Sequence, residues 1–252
     1  MFYRKNVQLG VIIVTIIGLW AVGSGLGIIP RGFFPSPGEV VKALVQMIIT
    51  GTLWNELGKS LVRMVQYYVV ASILGLSTGL LLGMWSAAAR FARPLLNFAN
   101  SLSGIAWLPL AMMWFGIGEP TIGFVTANGV FFVVAVNTIA GVQAVPRAYE
   151  YGLRVLGAGR IRIILQVLIP GAIPSVLNGL RLGLGFGWRA LIAAEMAAAP
   201  SGIGYLIYQS SYNFRNDVMV ASILLLGIVA LALDRVIFTF AERRTMERWG
   251  MA

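Results

Sequence analysis

The 252-residue sequence contains no cysteine and no histidine. A chain without these residue types has no disulfides, no thiolate nucleophile, no zinc site built on His or Cys, and none of the usual haem ligands. It also lacks the side chain that most often serves as a general acid or base. These absences disfavour most enzymatic chemistry, and neither a catalytic residue nor a metal site is predicted.

Charged residues are also scarce, at 11% of the chain, whereas apolar residues make up 58%. Soluble domains average about 25% charged residues, so this much apolar surface cannot all be hidden in a water-soluble core. A mean hydropathy of +0.84 indicates the same. The sequence therefore predicts an all-α membrane protein, with residues 1–252 forming a single transmembrane domain in the lipid bilayer.

Six apolar segments are long enough to cross a bilayer, which requires about 20 residues each. The predicted spans are Leu9–Ile29, Val65–Ser86 within a long helix from Thr52 to Ala88, Leu95–Phe115 interrupted by Pro109, Thr121–Val145, Ile173–Ala198 and Val218–Phe240. The length of the first span favours a membrane anchor over a cleaved signal peptide. Ser36 is predicted to cap a short amphipathic helix at the outer face that starts near Pro37, and residues 199–217 are predicted to form a polar loop.

The distribution of basic residues predicts that both termini lie in the cytoplasm, because Lys and Arg collect on that side of membrane proteins. With the N-terminus inside, eleven basic residues fall on the inner side: Arg4, Lys5, Arg90, Arg93, Arg147, Arg154, Arg160, Arg162, Arg243, Arg244 and Arg248. Five fall on the outer side: Arg31, Lys42, Lys59, Arg63 and Arg215. This arrangement explains the net charge of +10 without a nucleic-acid partner.

The inner segment 146–170 differs from the spans because four arginines occur in it among glycines and apolar residues. Pro146 can open a helix and Gly157 can end it with a left-handed residue. A second short helix is predicted from Arg160 to Leu168, stopping before Pro170. Two short helices with an apolar side and a basic side can fill a groove in a partner protein or lie on anionic headgroups, and the residues alone leave both possibilities open.

The sequence contains no Gly-x-x-x-x-Gly-Lys-Ser/Thr phosphate loop, so uphill transport would need a separate ATPase or an ion gradient. An ion-coupled carrier usually places ionisable residues near the middle of the membrane as relays. The acidic candidates here are few, namely Glu195 and Asp234 in predicted spans. The alternatives to an ATP-driven transporter are therefore an ion-coupled secondary transporter acting without an ATPase, or a scaffold subunit.

Segment 146–170 resembles the coupling loop, or EAA loop, of permeases in binding-protein-dependent ABC importers. Leu156-Gly157-Ala158 and Ile169-Pro170 match the Leu-Gly-Ala and Leu-Pro of that pattern, whereas Tyr151-Gly152-Leu153 occupies the Glu-Ala-Ala positions and Glu150 is displaced by one residue. Other short motifs resemble the nitrate/sulfonate/bicarbonate (taurine) branch: Phe34-Pro35-Ser36-Pro37, Leu108-Pro109-Leu110, Trp114-Phe115-Gly116-Ile117, Gly179-Leu180-Arg181, Trp188-Arg189-Ala190-Leu191, Ala194-Glu195-Met196 and Ser201-Gly202-Ile203-Gly204-Tyr205.

The resemblance implies a type I ABC importer permease fold in a bacterial inner membrane. It also implies two cytoplasmic ATPase subunits that bind ATP and Mg²⁺, an external solute-binding protein and a second permease copy, expected to be identical. This chain itself would bind no cofactor. The residues implied in ATPase coupling are Glu150, Tyr151, Gly152, Leu156, Gly157, Ala158, Arg160 and Pro170.

Arg189 and Glu195 are ionisable groups of the predicted fifth span, and their separation of six residues puts them roughly 120° apart on a helix. Arg189 could face the pathway and attract an anionic solute while Glu195 helps to form the outer gate. Alternatively, each forms an ion pair with other helices or with the second subunit. The other candidates for the pathway or gate are Trp107, Pro109, Met112, Met113 and Trp188, for which packing is the alternative.

Four glycines crowd the same span, at positions 179, 183, 185 and 187. Small residues let helices approach closely, so the pattern predicts tight packing, with a pliable segment as the alternative.

The predicted mechanism is alternating access without covalent chemistry. Arg189 favours an anion as the solute, with a sulfonate ahead of nitrate or bicarbonate.

Overall fold

The computed structural model describes residues 2–26 and 35–236, and all regular secondary structure in these two ranges is helical. The helices are α1 (Phe2–Gly25), α2 (Pro37–Ile49), α3 (Thr52–Met84), α4 (Ser86–Ser101), α5 (Leu108–Phe115), α6 (Glu119–Ala144), α7 (Arg147–Val155), α8 (Arg160–Ile163), α9 (Ile169–Ala198), α10 (Ile203–Tyr212) and α11 (Asn216–Asp234). A 3₁₀ turn (Gly104–Trp107) precedes α5, and a π-helical turn (Ile164–Leu168) joins α8 to α9. The all-α prediction is confirmed for these residues.

Helices α3, α6 and α9 form the centre of the bundle. A Cβ built on Gly79 would lie 2.5 Å from the Cβ of Thr138, and one on Gly83 would lie 2.7 Å from the Cβ of Val142, so α3 and α6 run parallel. We call the end where α3 and α6 begin and α9 ends the distal end.

Glycines also set the contact between α6 and α9, which run antiparallel. A Cβ on Gly179 would lie 2.7 Å from the Cβ of Asn137, and one on Gly187 only 2.5 Å from a methyl group of Val130. Gly183 faces Val134 in the same row, whereas Gly185 faces open space. Close packing is therefore confirmed for three of the four glycines, because a side chain at any of them would separate the helices.

Four helices of the described ranges are long and apolar enough to cross a membrane: Thr52–Met84, Glu119–Ala144, the continuous Arg160–Ala198 and Asn216–Asp234. Ala87–Ser101 and Gly104–Phe115 are bent by 86° and together would make a fifth span. The described part of α1 contributes a shorter apolar stretch, Val14–Gly25. The count of six spans and the placement of the termini stay predictions, and the predicted ends of the first and last spans lie outside the described residues.

Two predicted boundaries in the first half of the chain are wrong. The long helix ends at Met84 rather than Ala88, where its glycine row against α6 also ends. The third span is broken at Leu102 and Ser103, which have extended backbone, and not at Pro109. Pro109 lies in the first turn of α5, where its missing N–H leaves no helical hydrogen bond unmade.

Two further predictions fail in the second half. The helix that begins at Arg160 does not stop before Pro170 but continues through the π turn into α9. Gln166, whose carbonyl would meet the Pro170 ring in a regular α-helix, lies within that wider turn, so the proline is accommodated. The predicted polar loop 199–217 contains helix α10, which buries Ile203, Leu206 and Ile207.

The predicted cap of the short second helix is confirmed. The backbone N–H of Ser36 donates to the Glu39 carboxylate at 2.7 Å, and the N–H of Glu39 donates to the Ser36 hydroxyl at 3.4 Å. This reciprocal capping box fixes where α2 begins. Helix α2 then buries Val40, Ala43 and Met47 in a cluster with Leu206 of α10 and with Val218 and Ala221 of α11.

Candidate coupling segment, pathway surface and polar cluster

Helix α7 and the turn that follows it form the candidate coupling segment. Pro146 precedes the helix, and Gly157 ends it with a φ of +80°. The N–H of Gly157 donates to the carbonyl of Arg154 at 2.9 Å, and the N–H of Ala158 donates to that of Leu153 at 3.0 Å. This pair of bonds is a Schellman motif, so the predicted start and end of the helix are confirmed.

The coupling segment projects from the bundle instead of packing into it. None of the residues of α7 is buried, and Tyr149, Tyr151, Val155 and Leu156 expose apolar side chains. Large exposed apolar groups of this kind mark an interaction site with a protein or a membrane. Of the predicted coupling residues, Gly152, Gly157 and Arg160 are exposed and Glu150, Ala158 and Pro170 half-buried.

Behind the coupling segment lies a cleft of about 860 Å³. Its basic lining residues are Arg90, Arg147, Arg154 and Arg160, and Glu150 and Tyr151 also line it. The carboxylate of Glu150 lies 3.8 Å from Nη2 of Arg154, so this acid is paired within its own helix. The displaced glutamate is thus already engaged by its neighbour one turn along.

The predicted pathway residues do not share one environment. Trp107, Pro109, Met112 and Met113 lie on the 3₁₀ turn and α5, where Pro109 and Met113 are exposed. The rings of Trp107 and Trp114 pack edge-on against Phe124 of α6, with centroids 6.4 and 6.0 Å away. Trp188 is instead buried in the main core, so its side chain contacts other helices within this chain.

Arg189 follows Trp188 in the chain but faces the other way and is exposed. It lines a cavity of about 400 Å³ between α4, α6 and α9, and its guanidinium lies 5.7 Å from the ring centroid of Phe186. The polar residues of that cavity are Asn100, Ser101, Ser103, Asn128, Asn137 and Arg189. No carboxylate of the described residues lies within 4.0 Å of Arg189.

Glu195 is fully buried at the distal end and belongs to a set of residues that we call the polar cluster: Ser60, Arg63, Glu119, Glu195 and Ser201. Its Oε1 lies 3.0 Å from Nη1 of Arg63, and its Oε2 accepts from the Ser60 hydroxyl at 2.8 Å and from the N–H of Gly204 at 3.0 Å. The ion pair with another helix, which the sequence left open as an alternative, is therefore present. Glu195 and Arg189 do not meet.

The turn from α9 to α10 is shaped around this carboxylate. Gly202 has a φ of +112°, and a Cβ added there would collide with the Glu195 carboxylate. A Cβ on Gly204 would lie 2.6 Å from the Cβ of Glu195. Both glycines are needed because the backbone passes directly against the buried carboxylate. The N–H of Gly204 donates to it, whereas the N–H of Gly202 donates to Glu56 at 2.6 Å.

Sequence reasoning missed Arg63, which it assigned to the outer segments by its position near the helix start. Nε of Arg63 donates to Glu119 at 2.9 Å and Nη1 donates to the carbonyl of Ser201 at 2.6 Å. The signal that could have found it is the spacing of Glu56, Ser60, Arg63 and Tyr67. Steps of four, three and four residues place these polar groups on one face of an apolar helix.

The described residues thus combine helices apolar enough for a membrane, an exposed helical segment and a cavity lined by Arg189. The chain belongs to the family of binding-protein-dependent transport system inner membrane components, whose model matches residues 71–245. The taurine transport system permease protein TauC of Escherichia coli (strain K12) is 31% identical over 236 residues, which cover 92% of this chain and 86% of the relative. The nitrate import permease protein NrtB of Leptolyngbya laminosa is 28% identical over 250 residues, covering 95% and 88%.

The fold is also that of a solved ABC importer. A chain of the MetNI methionine ABC transporter in an inward-facing conformation superposes with a TM-score of 0.62 over 77% of this chain and 98% of that chain, at 21% identity. The type I importer permease fold predicted from the sequence is thereby confirmed.

Proposed function

We propose that this chain is the membrane-spanning permease subunit of an ATP-driven importer of small oxyanions, working by alternating access. It would act with two ATPase subunits carrying ATP and Mg²⁺ on the cytoplasmic side, an external solute-binding protein and a second copy of itself. The observation that carries this proposal is the exposed coupling segment, closed by the Schellman motif at Gly157. A helical foot with uncovered apolar side chains suits a groove in a partner subunit.

The acidic residues of the spans argue against an ion-coupled carrier. Glu195 is ion-paired to Arg63 and accepts two further hydrogen bonds, from Ser60 and from the backbone of Gly204. Asp234 is paired with Arg181 at 2.7 Å. A proton or cation relay needs a carboxylate that can change partners, whereas each of these carboxylates is already held by an arginine.

The proposed solute class rests on Arg189 and on the amide and hydroxyl groups that share its cavity. A charge within a span is costly unless it faces protein or water, and this one faces a cavity. Guanidinium and amide N–H groups are suitable donors to the oxygens of an oxyanion. The relatives named for taurine and nitrate support the same class, and we favour a sulfonate as the solute.

The partnership is tested by purifying the chain from its native membrane and identifying the proteins that accompany it. We expect a nucleotide hydrolase in about a one-to-one ratio with the chain, and ATP-dependent uptake of radiolabelled taurine after reconstitution. Uptake against a gradient by the chain alone, without any nucleotide hydrolase, would contradict the proposal.

The coupling role of Gly157 is tested by a matched pair of glycine substitutions. Gly157 and Gly159 both face open space, but only Gly157 has a left-handed backbone, since Gly159 has a φ of −70° and a ψ of 162°. A valine is strained at the first position and relaxed at the second. We expect Gly157→Val to lose ATP-driven uptake or to release the ATPase, while Gly159→Val retains both. Full uptake by Gly157→Val would remove the coupling segment from the mechanism.

A further inference from the structure

Arg63 is shared between two carboxylates whose environments differ sharply. Nη1 contacts the buried Glu195, and Nε and Nη2 both donate to Glu119. The side chain of Glu195 is 0% exposed, whereas that of Glu119 is 54% exposed. The arginine therefore has one arm inside the protein and one arm at its surface.

The inner arm is fixed. Glu195 accepts from Ser60 and from the backbone of Gly204 as well as from Arg63. Withdrawing the guanidinium would leave a carboxylate without its counter-charge in the core, which is strongly unfavourable. The backbone at Gly202 and Gly204 also packs directly against the Glu195 side chain. Parting Arg63 from Glu195 is therefore far costlier than parting it from Glu119.

The outer arm is releasable. A half-exposed ion pair contributes little net stability, because water solvates both groups when they part. Glu119 is also the first residue of α6, where the N-terminal end of the helix dipole favours a negative charge with or without Arg63. The hydroxyl of Tyr67 donates to Glu119 at 2.9 Å and adds one more α3 contact.

What the outer arm holds is the turn between α5 and α6. Gly116 and Gly118 in this turn have φ values of +76° and +141°, and Glu119 follows directly. The hydroxyl of Thr121 donates to the carbonyls of Ala111 and Gly116, which ties α5 to the start of α6. Helix α5, which carries the candidate pathway residues Met112 and Met113, is therefore joined to the first turn of α6, and Glu119 anchors that turn to α3.

We propose that Arg63 is a positioning residue of the distal gate, a two-armed latch whose permanent arm is Glu195 and whose releasable arm is Glu119. With the outer arm made, the α5–α6 turn is held against α3 and the distal end is closed. When it parts, α5 and the first two turns of α6, which extend to Thr126, can move away from α3 while the α9–α10 turn stays in place. This inference rests on the proposed transport function, in which the distal end faces outside.

The test compares two acidic residues that occupy the same kind of position. Glu119 and Asp217 each lie in the first turn of a helix that begins at the distal end, but only Glu119 contacts Arg63. The natural chain has no cysteine, so Thr126→Cys gives a single thiol at a fully buried site. The Thr126 hydroxyl has no hydrogen-bond partner among the described residues, so little is lost there. We expect a maleimide to reach that thiol only when the distal end opens.

In membranes containing the Thr126→Cys chain, we expect Glu119→Gln to raise the labelling rate about two- to fivefold, the population shift produced by losing one exposed ion pair. Asp217→Asn should leave the rate unchanged. Tyr67→Phe, which keeps the ion pair, should give a smaller rise in the same direction and serves if Glu119→Gln misfolds. Equal labelling rates of the Glu119→Gln and Asp217→Asn variants would overturn the latch. If Glu119→Gln misfolds, a Tyr67→Phe variant that is labelled no faster than the Thr126→Cys chain itself would overturn it instead.

A second readout links the latch to transport. In the complex with its ATPase, Glu119→Gln should hydrolyse ATP faster without solute than the Asp217→Asn complex, at equal melting temperature. Substitution of a purely structural residue would not raise the rate of ATP hydrolysis while leaving the melting temperature unchanged. Because thiol labelling needs only the chain, a missing ATPase would count against the proposed function and leave the latch to be decided by the labelling rates.

Discussion

Arg63 on α3 and Arg189 on α9 have opposite surroundings. Arg63 is 7% exposed and is shared by two carboxylates, a hydroxyl and a carbonyl. Arg189 is exposed to a cavity, and its guanidinium lies 5.7 Å from the centroid of the Phe186 ring. A charge whose donors are used up by its own protein holds helices together, whereas a charge with free donors is available to a solute.

The largest expected effect comes from removing Glu195, the buried partner of Arg63. Glu195→Leu would leave Arg63 buried without its fixed partner and should destabilise the chain by about 3–5 kcal/mol. The measurement is the melting temperature and the monodisperse fraction of the detergent-solubilised protein. Glu119→Gln, on the exposed arm, should cost no more than about 1 kcal/mol. Similar losses for both variants would show that burial does not distinguish the two arms.

The next effect concerns Arg189. Arg189→Ala should leave the melting temperature unchanged but reduce taurine uptake about tenfold or more, because hydrogen bonds to charged groups contribute about 1.5–3 kcal/mol. Arg189→Lys retains the charge and should recover part of the uptake. Unchanged uptake by the alanine variant would argue against a pathway role, and a lowered melting temperature would place Arg189 in the same structural class as Arg63.

The smallest effect tests an intermediate case. Arg181 and Asp234 are paired at 2.7 Å between α9 and α11, but each side chain is 38% exposed. Asp234→Asn should therefore change the free energy of unfolding by about 1 kcal/mol or less, as measured by thermal melting. A loss as large as that of Glu195→Leu would mean that this pair is far less hydrated than its exposure indicates.

Local sequence patterns were sufficient for the elements that depend on local rules. The cap at Ser36, the helix opened by Pro146 and the stop at Gly157 each follow from the residue itself and its nearest neighbours in the chain. The tight packing of Gly179, Gly183 and Gly187 was also foreseen, because a row of small residues at helical spacing has few other uses.

The missed features depend on contacts between distant parts of the chain. Hydropathy does not distinguish a straight span from the pair bent by 86° at Leu102 and Ser103. Helix α10 lies in a stretch whose polar residues read as a loop, yet it buries its apolar face against neighbouring helices. The carboxylate partners of Arg63, Glu119 and Glu195, are 56 and 132 residues away in the chain, so no local sequence pattern can identify them.

The amino-acid sequence by itself determined that this protein belongs in lipid, that helix α7 ends at Gly157, and that some charges must lie among the spans. Composition and backbone rules act residue by residue, so they can be read without the fold. Only the tertiary structure decided that Arg63 is paired and that Arg189 has no carboxylate partner in the part of the chain that the structure describes. Hydrogen-bond partners depend on which elements come together in the fold. Helices α3, α6 and α9 and the α9–α10 turn meet around Arg63, whereas Arg189 faces a cavity.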